Sequence, residues 1–450
     1  MSSVDVEGAL GCAGLALRGG HDNLRVYSGS AARREARCSA SIGGSPPRRS
    51  FSSTLASYRT SSFGFIYTDL SYFLPNVQGV GAGLPIATMG VTLVVLSIPF
   101  GILADRFGRR KMLLLGNICA SLSLLGFALT SNQLLVLVVA VLEGTGEAAY
   151  AVSFVAMVAD KAGNQKRTAA FSLLSFLGWV AGALGSFAIS SVYGLEALGL
   201  TFKESHIVLF ASMGLLNLAI TPLLLLVKET PVVKHDARII PRKSAKVVAK
   251  YAVYSVLIAI GAGLFVNLMA FWFSKAYGVT DAVSGLVLGL TSLLTAGVVV
   301  VSPRLARKVG LVKATVLTQA ASTVFMVAIP SAPTFGAAAS LYLVRVFLMN
   351  LSNPLTQSLI MGLVSPDERG LASGVSAAFW RLPNSLSANV GYGLMVAGLL
   401  AAPFYAATVL YVAGILLFWM LFKDAKLPEE QKTDQPATQV SSFEGPVEER

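Results

Sequence analysis

The stretch Gly101-Ile102-Leu103-Ala104-Asp105-Arg106-Phe107-Gly108-Arg109-Arg110-Lys111 sets one acid, four cations and two glycines in a single short turn between two long apolar segments. Each of those charges is expensive inside a bilayer, so the turn belongs in water. Short loops rich in Lys and Arg stay on the cytoplasmic side, so the same residues predict the orientation of a hairpin between two membrane helices. Composition agrees: 54% of the chain is hydrophobic and only 13% charged, against about 25% charged in soluble domains. A hydrocarbon core of about 30 Å takes roughly 20 apolar residues per helix, which leaves room in 450 residues for about twelve spans and two tails.

Working outward from that turn, length and boundary charges place the spans at 54–76, 82–103, 112–130, 133–158, 169–193, 207–227, 252–274, 283–302, 313–331, 335–363, 371–396 and 400–422. The first is diluted by Arg59, Asp69 and several hydroxyls. Even-numbered loops then carry nineteen Lys and Arg, from Arg106 to Arg369, and odd-numbered loops only Lys203 and Lys275. That imbalance predicts even loops and both termini in the cytoplasm, with the cell membrane as location. The net charge of +12 is thus spread among loops rather than gathered in a nucleic-acid patch. Residues 1–52 read as a disordered basic tail, 53–228 as one bundle, 229–250 with Pro231 and Pro241 as a basic cytoplasmic linker, 251–423 as a second bundle and 424–450 as a disordered tail.

The two bundles repeat each other. Leu103-Ala104, Gly108 and Lys111 match Leu305-Ala306, Gly310 and Lys313, and Gly83-Leu84 and Arg167 match Gly285-Leu286 and Arg369, all at an offset of 202. Several separated landmarks in one ungapped register predict duplicated halves of six helices each.

The Gly101–Lys111 turn also resembles the signature of the major facilitator superfamily. The resemblance implies an all-α membrane protein of twelve transmembrane helices in two pseudo-symmetric six-helix bundles, acting as a secondary active transporter by alternating access. It further implies that Gly101, Asp105, Arg106, Gly108, Arg109 and Arg110 latch one conformation, and that helices 1, 4, 7 and 10 line the solute path. In the second half Arg307 replaces Asp105, so that copy of the latch is degenerate.

Charged and polar groups inside spans are the candidates for proton coupling or substrate binding, since a charge at mid-membrane costs about 2.5–3.5 kcal/mol on insertion scales. They are Asp69 on helix 1, Glu143, Glu147 and Tyr150 on helix 4, Asn267 on helix 7, Arg345 on helix 10 and Arg381 on helix 11. Glu143 and Arg345 are also 202 apart, which predicts an acid and a base facing each other across the cavity. The three histidines, His21, His206 and His235, fall in the tail or near helix ends, and Cys12, Cys38 and Cys119 are widely spaced, so no metal site, disulfide framework or cofactor is expected. Gly144-x-Gly146-x-x-Ala149 sits inside an apolar helix without a preceding strand and reads as helix packing, and no phosphate loop, nucleophile elbow or zinc motif appears, so the chain is not expected to be an enzyme. The expected partners are a small-molecule substrate, protons and the lipid bilayer, with no nucleic acid and a monomer as the working unit. The function expected is proton-coupled symport of a small organic solute. Proton-coupled efflux of amphipathic compounds and a non-transporting receptor or scaffold are the alternatives.

Overall fold

A computed structural model describes residues 64–226, 244–365 and 369–425. Apolar stretches of membrane-spanning length, unable to satisfy their backbone in lipid any other way, fold as helices. In chain order these are α1 (64–78), α2 (Gly83–Phe107), α3 (Arg109–Leu129), α4 (Gln133–Val158), α5 (Leu173–Ala197), α6 (Phe202–Ile220), α7 (Ala245–Tyr277), α8 (Asp281–Val309), α9 (Leu311–Ala328), α10 (Phe335–Leu363), α11 (Arg369–Val396) and α12 (Ala402–Phe422). Among the described residues ten helices are long and apolar enough to cross a membrane. The other two are α1, of which 54–63 lies outside the described residues, and α11, which carries more polar residues. This accords with twelve membrane helices in two pseudo-symmetric bundles, an all-α membrane fold.

Local chemistry sets the ends. Asn132 caps α4, its Oδ1 accepting from the N–H groups of Leu134 and Leu135. Thr201 and Glu204 form a capping box at α6, Thr201 Oγ1 accepting from Glu204 N–H while Glu204 Oε2 accepts from Thr201 N–H. Gly108 turns α2 into α3 at φ +97° and Gly310 turns α8 into α9 at φ +83°, a region that only glycine enters cheaply. Their N–H groups bond to Ala104 and Ala306, so the matched landmarks share one backbone geometry. The remaining left-handed glycines also fall in pairs, Gly79 with Gly278 and Gly199 with Gly398.

Several expected boundaries move. Helical turns continue through Gln133–Ala188, yet Gln133 bonds Gly81 and Ser190 bonds Ala282, both at the end bearing the odd-numbered loops, so the run holds two spans of opposite direction, α4 and α5. Helix α6 starts at Phe202 and α8 at Asp281, earlier than the expected 207 and 283; at α6 a capping box carries Lys203 and Glu204 into the helix, and at α8 the acidic Asp281 occupies the first turn, where the helix dipole favours it. Helix α7 starts at Ala245, so the last part of the expected linker 229–250 is already helix, and 229–243 lies outside the described residues, as do the tails 1–52 and 426–450.

Helix α7 breaks at Leu264–Leu268 and resumes as Met269–Tyr277, whose buried Phe271, Trp272 and Phe273 anchor it within the second half. Trp272 Nε1 donates to the Leu400 carbonyl at 2.9 Å, and Phe273 packs edge-on against Phe335 and Tyr342. The halves meet along α2 against α11 and α5 against α8. A Cβ on Gly83 would lie 2.7 Å from Asn389 Oδ1, one on Gly90 would overlap Ser385, and one on Gly285 would lie 2.9 Å from the Ser186 carbonyl. Small residues at these positions let the helices approach closely.

Candidate functional site

Glu147 projects from the middle of α4, 5% exposed, and joins the two halves. Its Oε1 accepts from Arg381 Nη1 of α11 at 2.7 Å, and its Oε2 accepts from the Tyr67 hydroxyl of α1 at 3.0 Å. The Arg381 side chain keeps 42% of its surface exposed, so the carboxylate is buried while the cation stays partly accessible. Charge-assisted bonds of this kind are about twice as strong as neutral ones, and a solute anion can compete for the same guanidinium. Tyr67 also lines a small cleft with Ile66, Leu70, Ile86, Met89 and Asn267. Asn267 lies in the break of α7 and donates to Asn384 Oδ1 of α11 at 2.9 Å.

The other expected residues are arranged differently. Glu143, fully buried, accepts from Ser123 of α3. Arg345 donates to the Tyr411 hydroxyl at 2.7 Å and lies over the rings of Phe265 and Tyr411 at 4.9 and 5.6 Å. The pair expected between Glu143 and Arg345 is therefore not the one formed. Pseudo-symmetry does place them alike, since Glu143 is held by α3 and the Arg345 carbonyl accepts from Ser322 of α9, but each packs into its own half. The base that crosses to helix 4 is Arg381. Tyr150 stacks on Phe154 at 5.4 Å and packs against Gly116 of α3. Gly144 and Gly146 serve packing, since a Cβ on either would strike Met89 or Gly116 backbone.

In the Gly101–Lys111 turn, Gly108 supplies the positive φ, Arg109 is 8% exposed in the first turn of α3, and Arg106 is exposed. The side chain of Asp105 lies outside the described residues. A Cβ on Gly101 would make only an ordinary contact, 3.5 Å from Val152, so this glycine does not mark a close helix approach.

A second cluster was missed in the sequence. Asp69 is fully buried on α1, against the carboxyl group of Asp281 on α8, and neither of its oxygens finds a hydrogen-bond donor. Asp281 Oδ2 lies 2.6 Å from Nε2 of His206 on α6, and His206 Nδ1 lies 2.7 Å from the Phe202 carbonyl. His206, expected near a helix end and outside the interior, is fully buried. The readable signals were Thr201-Phe202-Lys203-Glu204, which forms a capping box, and an acid, Asp281, in the first turn of α8; both helices start ahead of the charge-based boundaries. His21 and His235 lie outside the described residues.

The Major Facilitator Superfamily model matches residues 49–388. The chain is 34% identical over 106 residues to a chloramphenicol resistance protein of Pseudomonas aeruginosa, covering 23% of this chain and 25% of that protein. It is 29% identical over 171 residues to the inner membrane transport protein YajR of Escherichia coli strain K12, covering 37% and 36%. These alignments thus span between a quarter and about a third of the curated relatives. Among solved structures, a bacterial homolog of the human lysosomal transporter Spinster, in an inward-facing and occupied conformation, superposes with a TM-score of 0.68 at 15% identity, covering 84% of this chain and 97% of that one. A D-xylose-proton symporter superposes at 0.65 and 16%, covering 82% and 97%. Duplicated bundles and ten apolar helices of spanning length among the described residues accord with the family match over residues 49–388: the chain belongs to the major facilitator superfamily and is a multi-pass membrane protein.

Proposed function

We propose that this chain carries a small organic acid together with protons by alternating access, as a monomer in the cell membrane with both termini cytoplasmic. The observation that carries the reading is the Glu147–Arg381 pair, which bridges the two halves at 2.7 Å and leaves the guanidinium partly open. Protonating Glu147 removes its charge and frees Arg381 for a solute carboxylate or phosphate, and Tyr67 remains to orient the neutral carboxyl. Asn267 and the cleft beside Tyr67 offer the neutral and apolar part of the binding surface. With odd loops outside, the Ser190–Ala282, Tyr193–Thr280 and Glu147–Arg381 contacts between the halves run from the extracellular end inward as far as Glu147, which supports an inward-facing state and agrees with the conformation given for the Spinster homolog.

The test uses purified protein, first by thermal shift against organic acids, sugars, nucleosides and chloramphenicol, then by solute-driven proton entry into proteoliposomes loaded with a pH-sensitive dye. Stabilisation by organic acids that Arg381→Ala abolishes, with proton entry that Glu147→Gln abolishes, is expected. Stabilisation by neutral solutes alone, or proton entry that survives Glu147→Gln, overturns the reading. The likeness to a chloramphenicol resistance protein favours a second reading, proton-driven export of amphipathic compounds. Its signature is stabilisation by chloramphenicol and proton movement opposite in sense to drug movement.

A further inference from the structure

The histidine of the second cluster has little freedom in its hydrogen bonds. A backbone carbonyl only accepts, so the 2.7 Å contact with Phe202 commits His206 Nδ1 as the donor. The 2.6 Å contact between Nε2 and Asp281 Oδ2 then contains one proton, resting either on the imidazole or on the carboxyl group. Remove that proton and two lone pairs face each other, one on an anion, inside a pocket where His206 and Asp281 are 0% and 1% exposed. The contact exists only while a proton is bound.

Asp69 adds a second site of the same kind. Its carboxyl group abuts that of Asp281, and none of Asp69 Oδ1, Asp69 Oδ2 or Asp281 Oδ1 has a donor among its neighbours. Two carboxyl groups in contact away from water hold a proton between them, because both cannot be charged there. The other titratable groups facing the cluster are Tyr72 on α1, at the backbone of Asp281 and 6.3 Å from the His206 ring, and Tyr193 and Glu196 on α5. Tyr193 also bonds Thr280 at 2.6 Å, immediately before Asp281.

The placement gives the protons a mechanical role. Asp69 and His206 belong to the first half and Asp281 to the second, and neighbouring contacts from Ser190 to Ala282 and from Tyr193 to Thr280 join the same halves at the odd-loop end. We propose that Asp69, Asp281 and His206 form a proton-binding site whose occupancy closes the odd-loop end of the transporter. It is separate from the Glu147–Arg381 pair. Loss of protons sets Asp281 against both Asp69 and the lone pair of His206 and drives the halves apart; rebinding closes them. Its use in coupling rests on the proposed proton-coupled transport, but the closure itself needs no solute.

The test reads distance in full-length protein. Spin labels on Leu198→Cys and Leu399→Cys, exposed positions at the odd-loop end of opposite halves, report separation by pulsed electron resonance, with Cys12 and Cys38 replaced by Ser and buried Cys119 left in place. The fraction with the longer separation is expected to rise about threefold or more between about pH 5.5 and pH 8.5. Asp281→Asn, whose amide donates to neutral His206 without a titrating proton, is expected to stay closed at both pH values. Unchanged distances in the unsubstituted cluster, or an Asp281→Asn response equal to wild type, overturns the proposal. A pH-dependent distance in protein whose solute flux carries no protons leaves this closure standing while the transport reading fails.

Discussion

At the residue scale, the chemistry of the site rests on how few partners each buried charge has. Tyr67→Phe deletes one of two bonds to Glu147, a charged acceptor, so a stability loss of about 1.5 kcal/mol is expected, measured as a lower denaturation midpoint; an unchanged midpoint would show that the hydroxyl is dispensable. Arg345 is a different case. Its guanidinium is stacked on Phe265 and bonded to Tyr411, so Arg345→Lys keeps the charge but loses the flat contact and the fork. The expected outcome is a lower melting temperature with solute-induced stabilisation unchanged, and a loss of solute response would place Arg345 in the binding site after all. The candidate list was legible as chemistry: intramembrane Glu147 and Arg381 do meet, and Asp69 is buried. The pairing was not legible, because an offset of 202 reports equivalent depth in two halves and carries no information on which way a side chain turns.

At the scale of elements, the helices themselves were readable from apolar length, and the glycine turns from one motif copied twice. Boundaries drawn at charges failed where charged residues lie in a helix's first turn, behind the capping box of α6 and at Asp281 of α8, and that error hid the histidine–aspartate contact. The seam between α2 and α11 closes over Gly90, where any side chain meets Ser385. Gly90→Leu therefore disfavours the state closed at the odd-loop end by about 1–3 kcal/mol, roughly a 5- to 150-fold population shift. Greater thiol-reagent labelling of a cysteine at the neighbouring Asn389 position checks it, and labelling equal to the parent protein would show that the seam tolerates the bulk. Because Gly108 and Gly310 both need positive φ, Gly108→Ala and Gly310→Ala are each expected to lower the denaturation midpoint by a similar amount, on the order of 1 kcal/mol.

Across the whole molecule, the contacts that join the halves run from the odd-loop end inward to Glu147. A Ser190→Cys and Ala282→Cys pair, placed where the native hydroxyl reaches the carbonyl at 2.8 Å, is expected to cross-link under mild oxidation and to do so less in the Gly90→Leu background. Equal cross-linking in both backgrounds would mean that the two seams open independently. The division into halves was legible because duplication leaves its register in sequence, whereas the seams depend on small residues whose neighbours come from the other half and leave no local pattern. Gly108 and Gly310 turn the chain at the same place in two halves of equal parity. Six spans bring a half back to the face of the membrane from which it set out, so a tandem copy inherits the same up-and-down sense as its parent. Insertion or loss of a single span in either half would invert everything after it and bring the wrong edges of the bundles together. Viable changes in length for a chain built this way come as helix hairpins, two spans at a time.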